Sequence, residues 1–394
     1  MNKRIYIFSL IAICAIIAFH GCRKPYLPPA ISLSGNYLVV EGVINTGNDS
    51  TIVKLSRVVK LSSSNGSNPE LNAKISIESD ANASYPLAEA GGGRYVIAGL
   101  NLSAANKYHL KIVTSDNKTY QSDFVPVKNS PPIDSVYYLV KGNNLQINAD
   151  THDPANSTIY YRWEFTDAWE FHSAYNSFSI VSHDPFDTIL FRTLSQQIYT
   201  CYKGSASTNI ILNSSEKLSK DIITGNAVNL IPSTSEKIGI RYSILVKQYA
   251  LTKEAYKYWQ QLKKNTEQLG SIFDAQPSEI SGNIHCVTNP SEPVIGYISA
   301  GTAAQTRIFI NTRSLPAWRA TTPYDQCTLD SLYFSNPKTG NNDVRDYIYT
   351  GFQLPVYPLA PPGGKIVGYA ASTPECVDCT LRGSSTPPSF WINQ

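Results

Sequence analysis

The chain has 394 residues, with 33 Lys and Arg against 30 Asp and Glu, a formal net charge of +3 at pH 7. That near-neutral balance, in a chain with only 16% charged residues, argues against nucleic acid or an acidic surface as the main partner, because either calls for a concentrated basic footprint. The length holds two or three domains, and abundant Tyr, Val, Ile, Thr and Ser favour strands over helices.

Met1-Asn2-Lys3-Arg4 is a short positive segment, and Ile5 to Phe19 is apolar without a charge. The apolar run falls short of the roughly 20 residues that span a bilayer and has the length of a signal-peptide core. His20-Gly21-Cys22 follows, then Arg23, Lys24, Pro25, Pro28 and Pro29. This junction resembles a lipobox, the cleavage site of bacterial lipoproteins. Gly21 fits the small residue before the cut and Cys22 would carry the lipid; Phe19 and His20 depart from the usual Leu and Ala or Ser. Residues 1–21 are expected to be the signal peptide and 22–36 an extended tether. The alternative is an ordinary secretory signal with an incidental cysteine. Loss of Lys3 and Arg4 with the signal takes the net charge from +3 to +1. Several acyl chains on one cysteine anchor firmly where a single chain is marginal. Arg23 is not the aspartate that retains lipoproteins in the inner membrane of enteric bacteria, so by analogy the outer membrane is the expected site. Arg23 and Lys24 leave periplasmic or cell-surface facing open.

Residues 37–130 read as an N-terminal β-sandwich of the immunoglobulin, transthyretin or fibronectin kind. Tyr37 to Gly42, Thr51 to Leu55, Lys74 to Glu78, Arg94 to Ile97, Tyr108 to Val113 and Thr119 to Ser122 are predicted strands. Ile75 and Ile77 share one face, as do Tyr108, Leu110 and Ile112. Asn129-Ser130-Pro131-Pro132 marks a boundary, and 131–394 reads as a second β-rich domain. In it Tyr161, Trp163 and Phe165 fall on one face of a central strand. One amphipathic helix is inserted at 252–269: Thr252 can cap it, Ala255, Trp259, Leu262 and Thr266 fall on one face, and Gly270 suits its end. Strands resume at Gly282 to Cys286, Val294 to Ile298 and Arg307 to Ile310, and a Pro/Gly-rich, cysteine-containing tail closes the chain.

With Cys14 lost and Cys22 lipidated, five cysteines remain as disulfide candidates: Cys201, Cys286, Cys327, Cys376 and Cys379. Exported chains form disulfides, an odd number leaves a thiol free, and pairing cannot be read from sequence. Cys376-x-x-Cys379 lacks the strand-then-helix context of a redox motif, so a structural disulfide involving Cys327 or Cys201 is expected. Zinc on Cys327, Cys376, Cys379 and His285 would match no compact module, and no metal or cofactor is expected. His152-Asp153-Pro154 and His183-Asp184-Pro185 fit turn chemistry. No nucleophile elbow, zinc helix or phosphate loop appears, and neither Asp167 with Glu164 nor Asp330 with Asp325 is preferred as a carboxylate pair. No catalytic residues are assigned and the chain is not expected to be an enzyme. In the aromatic run Trp163 to Phe178, Trp169 and Phe171 are the ligand-binding candidates, placed on an exposed loop where they could stack on a sugar or a partner, against core packing as the default.

Several landmarks occur in order: Cys22-x-Lys-Pro-Tyr, Glu41-Gly42, Tyr258-Trp259, Gly270-Ser-Ile-Phe-Asp-Ala-Gln-Pro277, Gly282-Asn-Ile-His285, Gly296-Tyr297, Arg307 to Ile310, Cys376-Val-Asp-Cys379 and Phe390-Trp391. Together they resemble an uncharacterised lipoprotein family of the Bacteroidota, the domain of unknown function 4249, over nearly the whole mature chain. That family is often encoded beside TonB-dependent outer-membrane receptors. The resemblance implies a non-catalytic accessory of such a transporter, in uptake or surface assembly, and supplies no catalytic residues. The alternatives are a stand-alone glycan- or peptide-binding surface lipoprotein and an uncharacterised hydrolase.

Overall fold

A computed structural model describes residues 36–59, 68–267 and 282–391. Cys22, the signal peptide, the tether and the Gly270-to-Pro277 landmark lie outside the described residues. The fold is mainly β, as expected: tandem sandwiches with one inserted amphipathic helix. Among the described residues no helix is long and apolar enough to cross a membrane.

The first sandwich is built from β1 (Leu38–Asn45), β2 (Thr51–Arg57), β3 (Asn68–Pro69), β4 (Lys74–Ser79), β5 (Ser84–Glu89), β6 (Arg94–Ile97), β7 (Lys107–Val113), β8 (Thr119–Ser122) and β9 (Val125–Pro126). Alternation works as the sequence suggests. Ile75 and Ile77 of β4, and Tyr108, Leu110 and Ile112 of β7, point into one buried core. β5 closes the sandwich by changing partner along its length: Ile75 and Ile77 of β4 pair Leu87 and Tyr85, whereas Ala88 and Glu89 pair Val96 and Tyr95 of β6. β5 was not expected, because Pro86 interrupts its pattern.

The second sandwich sets β10 (Ile133–Lys141), β11 (Asn144–His152) and β17 (Ile222–Pro232) against a sheet of β12 (Tyr160–His172), β15 (Thr200–Ala206), β16 (Ile211–Ser214), β18 (Arg241–Leu251) and β22 (Ala303–Asn311). β13 (Ser179–Ser182) and β14 (Thr188–Phe191) form a hairpin inserted after β12. At the centre, Trp163 is fully buried and its indole donates to Gln248 Oε1 at 3.0 Å. The Gln248 amide donates to Pro131 O (3.0 Å) and Thr151 Oγ1 (2.9 Å), which pins the chain at the boundary between the sandwiches to the second core.

Helix α1 (Lys253–Glu267) follows β18 directly. Thr252 Oγ1 accepts from Ala255 N at 3.2 Å, the expected cap; residues 268–270 lie outside the described residues. The buried face runs through Ala255 and Tyr258, with Trp259 and Leu262 half-buried and Thr266 exposed. It is therefore rotated slightly from the expected stripe, because Tyr258 meets Tyr297 at 5.3 Å between ring centroids.

The chain then departs from the expected partition. Residues 284–301 do not extend the second domain; they return to the first sandwich. β19 (Ile284–Cys286) pairs antiparallel with β8, while β20 (Val294–Gly296) and β21 (Ser299–Gly301) pair parallel with β1. Ile284, Cys286, Val294, Ile298 and Ala300 complete the first core. Two glycines permit the return. A Cβ on Gly282 would sit 1.8 Å from Gly296 O, and Gly296 holds φ +149° with space for a Cβ closed by Val40 O at 2.3 Å. Asn283 secures the crossing by accepting from Ile298 N and donating to Ile298 O.

The last segment forms a small sheet of β23 (Asp330–Tyr333), β24 (Leu354–Leu359) and β25 (Gly368–Ser372), then a one-turn helix, α2 (Pro374–Val377). The tail is held to the central sheet by Cys201–Cys379 and to the preceding loop by Cys327–Cys376. The two cysteines of Cys376-x-x-Cys379 thus bond elsewhere rather than to each other. Cys286, a disulfide candidate by sequence, is a free buried thiol. Arg382 makes a two-pronged ion pair with Glu236 (2.9 and 2.8 Å), and Trp391 packs on Tyr202 and Phe309.

Candidate functional site

The two sequence-based binding candidates are core residues. β12 runs unbroken to His172, so the alternation that buries Tyr161 and Trp163 carries Trp169 and Phe171 inward as well; they are 6% and 2% exposed. Neither ring is free to stack on a ligand. Lys237 Nζ lies 4.9 Å above the Trp169 ring and 2.7 Å from Asp167 Oδ2. Asp167 also accepts from Tyr242 OH, Ser205 N and Ser205 Oγ, a closed structural network. Glu164 sits on the opposite strand face from Asp167, so these carboxylates form no pair.

Both His-Asp-Pro motifs are turns. Asp153 accepts from the backbone of Ala155, Ser157 and Thr158 and from Ser157 Oγ. Burial alone would raise its pKa, but these bonds bring it down to about 2. His152 pairs with Asp134 at 2.8 Å and His183 with Asp187 at 2.6 Å. Of the groups weighed for zinc, the three cysteines are consumed by disulfides, and His285 stands apart beside Asp123.

What sequence reasoning missed is a cleft of about 750 Å³ between the sandwiches. One wall is the outward face of β1, where Val39, Glu41 and Val43 alternate with core residues. The other wall is the outer face of the central sheet. Register sets two rows across it: Arg162, Tyr249 and Ala303, then Glu164, Lys247 and Gln305. Trp259 and Leu262 of helix α1 also line it, as do Asp49 and Ile52. The volume lies within the usual range of small-molecule sites.

On the sheet wall the Arg162 guanidinium is clamped between two rings, 4.5 Å from the centroid of Tyr249 and 4.5 Å from that of Trp259. Its Nη1 is 3.2 Å from Glu164 Oε2, and its buried Nε has no hydrogen-bond partner. Tyr249 OH donates to Glu164 Oε1 at 2.5 Å. Burial and that carboxylate push the Tyr249 hydroxyl far above its ordinary pKa, and burial pushes Tyr258 up to about 12 with a further contribution from Glu41. Both phenols stay protonated at neutral pH, and Tyr249 acts as a hydrogen-bond donor. Lys247 has no ion-pair or hydrogen-bond partner among the described residues. The arrangement suits recognition by stacking and charge. Three of the sequence landmarks, Glu41-Gly42, Tyr258-Trp259 and Gly296-Tyr297, meet at this one cleft. They are up to 256 residues apart in the chain, from 41 to 297, so no local pattern could have joined them.

A second feature is the hairpin after β12. Phe178, Phe186, Leu190, Phe191 and Leu194 are 55%, 78%, 52%, 77% and 95% exposed. Val181 and Ile189 anchor it against the core under β23–β25, and Phe178 N donates to Val356 O at 2.8 Å. Leu190 and Phe191 are successive residues of β14 and point to opposite faces of the hairpin, so apolar side chains are exposed on both of its sides.

The model of the family described as "Domain of unknown function (DUF4249)" matches residues 23–307. No curated protein matches the chain. Among solved structures, a two-domain fibronectin type-III segment of chicken tenascin aligns at 12% identity over 54% of this chain and 90% of its own, with a TM-score of 0.16. The adhesin InvE of Yersinia pseudotuberculosis aligns at 10% identity over 77% of this chain and 69% of its own, with a TM-score of 0.15. Superpositions at that level carry no argument.

Proposed function

The chain belongs to the domain-of-unknown-function 4249 family, and from that premise we propose that it is a lipid-anchored outer-membrane protein that acts without catalysis, as an accessory of a TonB-dependent transporter in uptake or surface assembly. The observation that carries the reading is the exposed apolar hairpin 178–194. Its five large apolar side chains are half exposed or more, and their hydration is unfavourable unless another surface covers them. The family resemblance points to the transporter as that surface. Two disulfides suit an exported protein, and the lipobox-like Cys22 supplies the anchor.

The test is affinity purification of the tagged protein from detergent-solubilised outer membranes, with mass spectrometry of what accompanies it. A TonB-dependent receptor at near-equal amount is the expected result. The triple variant Phe186→Ser, Phe191→Ser, Leu194→Ser should lose it while remaining membrane-bound, since these side chains contribute little to the core. Recovery of the wild-type lipoprotein alone would end the accessory reading. The cleft favours a second reading, a stand-alone surface lipoprotein that binds a glycan or peptide; it predicts a ligand without a transporter.

A further inference from the structure

The cleft has a polarity that specifies its ligand more closely. Its sheet wall holds two cationic side chains on adjacent strands, Arg162 and Lys247, diagonal to each other in the register. One carboxylate, Glu164, lies beside them and is already engaged by Tyr249 OH and by Arg162. Arg162, Lys247 and Glu164 together therefore carry one net positive charge, and the Lys247 ammonium is unpaired. Stacking fixes the Arg162 plane in advance, so little side-chain entropy is lost when an acceptor arrives. The walls above are apolar and aromatic: Val39, Val43, Leu262 and Trp259. The cleft also carries free carboxylates: Asp49 is exposed, and Glu41 on the β1 wall is held only by an exposed pair to Lys54 at 3.5 Å.

We propose that this cleft binds a short apolar peptide with a free C-terminal carboxylate. The carboxylate would lie at Lys247 beside the fixed positive charge of Arg162, the side chains against Val39, Val43 and Leu262, and the terminal ammonium toward Asp49 and Glu41. Polyanions are disfavoured by Asp49 and Glu41, and neutral sugars leave the positive charge of Arg162 and Lys247 unmatched; a cation without an acceptor weakens binding of any ligand that lacks one. The inference depends on neither the lipid anchor nor a transporter partner, so it stands or falls separately from the reading above.

The experiment is isothermal titration calorimetry on the full lipoprotein in detergent, with trileucine and Ala-Phe-Leu as free acids and as C-terminal amides. The free acids should bind roughly tenfold more tightly than the amides, the difference expected of a charge-assisted hydrogen bond. Lys247→Gln, which removes no structural contact, should erase most of that preference. Arg162 is left intact because its stack positions Trp259 and Tyr249. Equal affinity of acid and amide, an unchanged preference in Lys247→Gln, or no binding of either peptide at millimolar concentration would each overturn the proposal. Binding of neutral oligosaccharides in place of peptides would do the same.

Discussion

Removing the bridge between Cys201 and Cys379, by changing both to alanine, should destabilise the second sandwich more than any single surface substitution. The bridge closes a span of 178 residues. In the loop-entropy model such a cross-link contributes about 5 kcal/mol by restricting the unfolded chain. The second bridge spans 49 residues and contributes about 4 kcal/mol on the same model. Retaining it shortens the effective Cys201–Cys379 loop only modestly, because the dependence on length is logarithmic. Measured effects often fall below the model, so a loss of roughly 3–5 kcal/mol is expected. With a urea dependence near 3 kcal/mol per molar for a domain of this size, the midpoint should fall by roughly 1 M or more. The assay is equilibrium urea unfolding followed by tryptophan fluorescence, since Trp163 and Trp169 report on this core. A shift under ~0.3 M would mean that Arg382–Glu236 and Trp391 hold the tail unaided, and would refute the entropic assignment.

Thiol titration of the denatured, non-reduced protein isolated from membranes should count one reactive thiol, Cys286, because four cysteines are bridged and Cys14 and Cys22 are expected to be removed and lipidated; three thiols would show that processing had not occurred. Trp169→Ala should cost about 3–5 kcal/mol of stability, as for other buried aromatic truncations; a folded variant of wild-type stability that had lost only ligand binding would contradict its place in the core. Asp153 titrates in the folded state at about 2, below its unfolded value, so its contribution is present above about pH 4 and disappears as pH falls toward 2. Asp153→Asn should therefore cost on the order of 1–2 kcal/mol at pH 7, after solvent screening, and almost nothing near pH 2; a stability difference that stays constant across that window would show that the carboxylate charge is not responsible.

The sequence by itself determined what depends on local periodicity. Period-two alternation identified the inward faces of β4 and β7 and of the first half of β12. Thr252 and the stripe that follows located α1, because capping and amphipathicity are read over a single turn or two. The odd cysteine count required a free thiol without saying which. Tertiary structure decided everything that needs distant segments to meet. The return of β19–β21 to the first sandwich depends on backbone crossing backbone at Gly282 and Gly296, and no composition shift marks it. Trp169 and Phe171 were misplaced because their burial requires β15 and β18 to extend β12 past its obvious hydrophobic half. The disulfide partners followed from where the tail lies on the central sheet. The cleft could not be assembled from sequence: Glu41-Gly42, Tyr258-Trp259 and Gly296-Tyr297 stood out as landmarks, but only pairing across strands of two sandwiches brings them around one space with Arg162 and Lys247.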